Sequence, residues 1–404
     1  MKKTLIALAL TTLPVAAMAE VVLYGQMKAG YEVSSTKDTG ESRDPYLNGI
    51  ADYGSRIGVK GSEDLGHGLK VIWQVESAVH LGNSSNSKDK GDTWATRDSF
   101  IGLETPYGKV RAGRISNQMN ANMDDIDTWE YNNEALGLGK FTRTDARYVG
   151  IAYDSPEWAG FSFNLLYSPR DNVNGYDKDR KGEYFIHSGD KYSLGLNYKN
   201  SGWFAKYGFD YLKNSAIHVN SITQDSNTGD LLINASRKDG QVHRFEGGYD
   251  ANNWFVGVGY QYTKNAESYN NHVNEIGDQI AGSLVSIAGI PASALNSGEH
   301  KMGISNQGQE AALTVGYHFG NIFPKISYAH GWDAKINGTK EKNTKYDQIV
   351  IGADYSFSKR TTANVQAGWL REGRGYAYDD GKDEFYNDGK TKTTAFGVGL
   401  KHTF

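Results

Sequence analysis

The chain contains no cysteine, which excludes disulfides, thiolate nucleophiles and cysteine-ligated metals. It has seven prolines in 404 residues and no stretch that reads as an interdomain linker, so one large domain is expected. Long apolar runs are missing as well. The most apolar stretch, Thr4 to Pro14, is shorter than the roughly 20 residues that a transmembrane helix needs. It follows Met1-Lys2-Lys3 and precedes Ala17-Met18-Ala19, the pattern of a signal peptide over residues 1–19, so the mature chain is expected to start at Glu20. Basic excess is also absent. A formal net charge of -4 has the wrong sign for a phosphate backbone, and no nucleic-acid partner is expected.

Catalytic patterns are equally scarce. The ten histidines are scattered, with His187, His218, His243, His272, His300 and His330 in or beside expected loops. No nucleophile elbow, Walker loop or His-x-x-x-His zinc pair occurs. Asp124-Asp125-x-Asp127 offers carboxylates to a hard cation but lacks the spacing and glycine of an EF-hand loop. The expectation is a chain that is no enzyme and holds no cofactor and no metal.

What the chain has is glycine and aromatic side chains, Gly 48, Tyr 26, Phe 15 and Trp 8, at a mean hydropathy of -0.59. The dominant signal is alternation. Val21, Leu23, Met27, Ala29 and Tyr31 alternate with Tyr24, Gln26, Lys28 and Glu32, and successive side chains of a strand point to opposite sheet faces. The pattern returns at Trp254, Val256, Val258, Tyr260 and at Leu313, Val315, Tyr317 opposite Glu310 and Thr314. Each run has about the ten residues that a tilted strand needs to cross hydrocarbon.

Tight turns such as Pro106-Tyr107-Gly108 and Asn200-Ser201-Gly202 alternate with long polar segments, as in a barrel with short turns on one rim and long loops on the other. Strands are expected near 20–33, 52–62, 68–79, 94–104, 109–115, 146–154, 161–169, 191–199, 203–213, 241–250, 254–264, 309–319, 324–332, 346–356, 361–371 and 393–404. The fold class is therefore all-β, a sixteen-stranded antiparallel transmembrane barrel over residues 20–404. Closure removes the sheet edges that hydrocarbon would not tolerate. The longest expected loop, 265–308, carries Ile280, Leu284, Val285, Ile287 and Ile290, suited to a self-packing surface loop or to a short helix acting as a partial plug.

Several blocks resemble the Gram-negative general porins, in their neisserial and β-proteobacterial form, over essentially the whole chain. Val22-Leu23-Tyr24-Gly25 looks like the opening strand, Ser55 to Gly66 followed by Gly68-Leu69-Lys70 like the second strand and first turn, and Tyr346 to Thr361 is the most specific stretch. The resemblance implies an outer-membrane homotrimer, with strands near both chain ends packing between subunits. It also implies lipid and lipopolysaccharide as surroundings, and an assembly machinery that recognises the terminal Phe404.

Within that frame the segment 116–145 is the informative one. Asp124, Asp125, Asp127, Glu130 and Glu134 crowd it without a base between them, and the third loop of porins folds into the lumen and narrows it. Alternation turns Arg56 and Lys60 inward. Arg97 and Arg147 fall where the resemblance implies constriction arginines, and Lys109 and Arg111 share one parity. The expected function is passive diffusion of ions and small hydrophilic solutes, sorted by charge at that loop. The alternatives are a substrate-selective channel and a barrel acting mainly in adhesion or host contact.

Overall fold

A computed structural model describes residues 20–38, 46–82, 94–170, 189–224, 231–266, 305–373, 377–379, 384–386 and 389–404. The expected signal peptide and most of the loop 265–308, with its candidate plug, lie outside them. The barrel strands are β1 Glu20–Asp38, β2 Arg56–Gly66, β3 Leu69–Ala78, β4 Ser99–Thr105, β5 Gly108–Ser116, β6 Arg147–Asp154, β7 Phe161–Ser168 and β8 Lys191–Asn200. They continue as β9 Trp203–Gln224, β10 Leu231–Ala251, β11 Trp254–Lys264, β12 Asn306–Tyr317, β13 Ile322–Gly331, β14 Tyr346–Ser356, β15 Thr361–Gly373 and β16 Lys390–Thr403. Each pairs antiparallel with its neighbour in sequence, and β16 pairs with β1 from Gln26–Thr403 to Asp38–Thr391, which closes the ring. At the seam, Gly25 and Phe404 exchange both backbone hydrogen bonds at 3.1 Å.

Alternation places the side chains as expected. On β14, Ile349, Ile351 and Tyr355 are exposed on the outer face, whereas Gln348 and Val350 are fully buried inside. Trp254, Phe319, Phe357 and Phe404 stand exposed near the short-turn rim, where amphipathic rings suit the headgroup level.

Three expectations need adjusting. The second strand is broken: Leu47–Asp52 pairs with Ala29 to Ser34, Arg56 onward pairs with Glu20 to Gln26, and Tyr53-Gly54-Ser55 bulges between them. Gly54 has φ +83°, a left-handed conformation that favours glycine. Ser55 makes up for the interrupted ladder by bonding both the N–H and the C=O of Lys28, at 2.9 and 3.0 Å. Secondly, β9 and β10 run well past their expected ends and continue pairing beyond the ring, with register shifts after Leu212 and Val219. Thirdly, Pro324 sits third in β13 rather than at its start.

A charge on the outer face tests the orientation. Ile351→Arg is expected to cost about 2–4 kcal/mol of folding free energy in a bilayer, read from reversible denaturant titration in vesicles. No cost would mean that this face does not meet hydrocarbon.

Candidate pore constriction

Between β5 and β6 the chain leaves the wall and runs through the lumen. Asn117 forms the neck of this loop. Its Oδ1 accepts from Asn120 N, capping the short helix Gln118–Asn122, and from Ala146 N on the returning chain, both at 3.0 Å. Its Nδ2 donates to Thr144 O at 3.2 Å and to Asp210 Oδ2 of β9 at 2.8 Å. A 3₁₀ turn at Glu134–Leu136 and a helical turn at Gly139–Thr142 follow.

The remaining loop backbone makes few bonds to itself, and inward side chains of the wall take their place. Thr314 donates to Ile126 O at 2.6 Å, Gln366 and Asn364 to Glu130 O at 2.6 and 3.2 Å, and Lys325 to Thr128 O. Gln348 donates to Glu134 O and Gly137 O, Arg244 to Phe141 O, and the Glu32 carboxylate accepts from Asn132 N and Asn133 N at 2.8 and 3.0 Å. Buried backbone groups need such partners.

Between these bonds lies a dry core. Ile126, Trp129, Leu136, Leu138 and Phe141 pack on Ala312, Ala329, Val350, Leu370 and Ala395 of the wall. The inside of the barrel is therefore not uniformly wet. Inward glycines make the seat: a Cβ on Gly259 would lie 2.5 Å from Ile126, and one on Gly368 only 1.7 Å from Ala135 O.

The five expected acids take different places, and a sixth, Asp145, pairs with Arg244 at 2.9 Å. Glu130 lies between Lys28 of β1 at 2.6 Å and Lys401 of β16 at 2.7 Å, tying the loop across the seam. Burial alone would raise its carboxyl, but the two ammonium groups hold it below the usual range. Asp127 turns into the loop, accepting from Tyr131 Oη at 2.8 Å and Leu138 N at 3.2 Å, and burial pushes it up to about 6 despite those bonds. Asp125 pairs with Lys206 of β9, and Glu134 with Lys140, which also meets Glu372 at 2.6 Å. Asp124 is exposed to the lumen beside Ala121 and Asn122. Among the described residues no loop acid pairs with Arg56, Arg97 or Arg147, and no cluster of three or more acids and histidines is placed to hold a metal.

The expected bases lie on another part of the wall. Arg56 and Arg97 share Glu76, at 3.7 and 2.6 Å. Arg147 pairs with Asp98 at 2.8 Å, and its guanidinium comes within 3.5 Å of Asn120 Oδ1. Arg111 grips Asp154 through two bonds, Lys109 pairs with Glu104 beside the short turn, and Lys60 lies over the Tyr24 ring at 5.3 Å. The loop touches the inner face of β7 to β16 and of β1, from Asn164 round to Glu32. Beyond the neck, where Asn120 meets Arg147 and Met119 packs with Ile115 and Tyr148, no hydrogen bond or ion pair of the loop falls on β2 to β6 among the described residues, the arc that carries all six bases. Sequence reading missed the anchors Glu32, Arg244, Lys325, Gln348, Asn364, Gln366 and Lys401. Their signal is a polar residue at inward parity on a strand far from any expected acid.

A closed barrel with an apolar outer belt, narrowed inside by an anchored loop, is an outer-membrane channel. The chain belongs to the Gram-negative porins, whose family model matches residues 19–404. It is 43% identical over 410 residues, all of both chains, to the major outer membrane protein P.IB of Neisseria sicca. Over 407 residues it is 37% identical to that of Neisseria meningitidis serogroup A, again across both chains. In fold it resembles an anion-selective porin from Comamonas acidovorans, at TM-score 0.61, 18% identity and 96% and 100% coverage. It also resembles Salmonella typhi OmpF in complex with daunomycin, at TM-score 0.57, 18% identity and 96% and 98% coverage.

Glu130→Gln leaves Lys28 and Lys401 facing each other and is expected to loosen the loop by on the order of 2 kcal/mol, allowing for lumen water. Single-channel recording then shows added open-channel noise. Because the Glu130 carboxyl is held low in the folded chain, its contribution is present above the ordinary glutamate value of about 4.3 and is lost as pH falls through its own lower value. The wild-type channel is therefore expected to become noisy only in acid below about pH 4, and Glu130→Gln at every pH. Noise that is equal in the two at neutral pH would remove Glu130 as the clamp.

Proposed function

We propose that ions and small hydrophilic solutes cross in the strip of lumen between the loop and β2 to β6, where a transverse field sorts them by charge. The partition of charge supports this. Six bases line that arc against four acids of the same wall, Glu76, Asp98, Glu104 and Asp154, whereas the loop leaves Asp124 exposed. Opposed charge in a narrow aqueous passage orients dipoles. A polar solute aligns and passes. An apolar one displaces oriented water without compensation. Replacing Arg56 and Arg97 by glutamine is expected to move the reversal potential in a salt gradient toward cations by on the order of 10 mV, and Asp124→Asn toward anions. If neither moves, the passage lies elsewhere.

The same reading makes the assembly a homotrimer. Strands β4, β6 and β7 have seven, eight and eight residues, fewer than the 9–11 that cross hydrocarbon, so neighbouring subunits packed on the strands of the chain's first half would complete the apolar cover. Light scattering of the folded protein in mild detergent is expected to give three chains per particle, and one chain would contradict the assignment. Phe404 is proposed as the mark read by the assembly machinery. Phe404→Ala keeps both backbone bonds to Gly25 and is expected to fold normally from denaturant, while its yield in the outer membrane drops. Equal drops in both would make the ring merely structural.

A further inference from the structure

Between the loop and the short-turn rim, on the seam side of the lumen, the inner wall encloses a polar pocket of about 200 Å³. Its walls come from the inward residues of β13 to β16, and Thr128 and Glu130 of the loop close one side. Asn321 and Ser356 of its lining are exposed, so the pocket opens to the lumen at that rim.

An acid and a base face this space without meeting. Asp354 Oδ2 accepts from Lys325 at 2.8 Å, and Lys401 donates to Glu130 at 2.7 Å. Among the described residues Asp354 and Lys401 form no ion pair with each other. Asp354 Oδ1 therefore remains an open acceptor, and the Lys401 ammonium group keeps two donors. The two residues stand two strands apart, with Thr362 and Asn364 of β15 between them, so roughly 10 Å of wall separates their backbones. Two hydroxyls of the same lining, Tyr53 Oη and Thr128 Oγ1, are shielded from water and have no hydrogen-bond partner among the described residues. Buried polar atoms are rarely left so. Another wall is flat and apolar, the His318 ring stacked on that of Phe323 with centroids 4.0 Å apart.

We infer that this pocket binds a small zwitterion, an α-amino acid with a short polar side chain, its carboxylate on Lys401 and its ammonium group on Asp354. An ion of one sign would satisfy only one of the two, and a neutral polyol would meet each without its own charge. The unpaired hydroxyls favour a polar side chain, and the stacked rings offer a surface for the Cα and Cβ. The inference needs only a lumen filled with water and is independent of where ions cross.

The test uses saturation-transfer NMR on the folded full-length protein in detergent. The probes are L-serine, its methyl ester, which lacks the carboxylate, and N-acetyl-L-serine, which lacks the ammonium group. L-Serine is expected to bind saturably, and each blocked form at least about tenfold more weakly, for the loss of one charge-assisted hydrogen bond. Asp354→Asn keeps an acceptor for Lys325. It is expected to weaken L-serine at least about tenfold and to leave N-acetyl-L-serine as it was, a pattern that general loosening of the wall would not give. Ser356→Leu, which narrows the mouth, weakens L-serine too. Heat-modifiable gel migration checks that each variant is folded. Blocked forms that bind as well as L-serine overturn the proposal, as does unchanged L-serine binding in both variants. Equal losses of L-serine and N-acetyl-L-serine in Asp354→Asn would make Asp354 merely structural and overturn the assignment.

Discussion

An irregular segment laid inside a barrel brings peptide groups that have no ladder to join, and every one shielded from water must find a partner. The inner wall of this porin is shaped by that requirement. Thr314, Lys325, Gln348, Asn364 and Gln366 spend their side chains on the carbonyls of the loop, and Glu32 on its N–H groups. Once these bonds set the path of the loop, the rest follows. Apolar loop residues settle into a dry core on β12 to β16, glycines make room beneath them, and the arc that the loop does not cover remains open to water.

Glu130 connects this internal packing to the closure of the barrel. Its partners Lys28 and Lys401 belong to β1 and β16, the two strands that meet at the seam. Opposite Lys28 the second strand bulges, and Ser55 holds the backbone of Lys28 in place. Bulges commonly re-aim a side chain, and here the bulge lies behind the ammonium group that meets the loop. Barrel closure and pore shape thus share one set of contacts.

Alternation made all sixteen strands legible, because a two-faced wall between lipid and lumen imposes a period of two on every strand. Strand ends were less legible. The extension of β9 and β10 beyond the ring follows from pairing between two strands with no lipid boundary to mark where they stop. The acidic loop was visible as a cluster, but its acids were expected to face Arg56, Arg97 and Arg147. Two instead meet wall bases directly behind them, Glu130 with Lys28 and Lys401 and Asp125 with Lys206, while Asp127 and Glu134 bond within the loop. Local sequence shows charge, whereas the partner of each charge depends on which strands the loop crosses, and that is decided by inward residues from Glu32 to Lys401, charged and uncharged, that lie far from the loop in sequence.

The central claim is that the loop covers β7 to β1 and leaves β2 to β6 as the wall of the passage. Since the chain has no cysteine, single cysteines report this directly. With a charged, water-soluble thiosulfonate applied during single-channel recording, Lys60→Cys and Arg97→Cys are predicted to react and change the current in steps, while Thr314→Cys and Gln366→Cys, behind the loop, stay silent. Rapid modification at the latter pair, with silence at the former, would contradict the account.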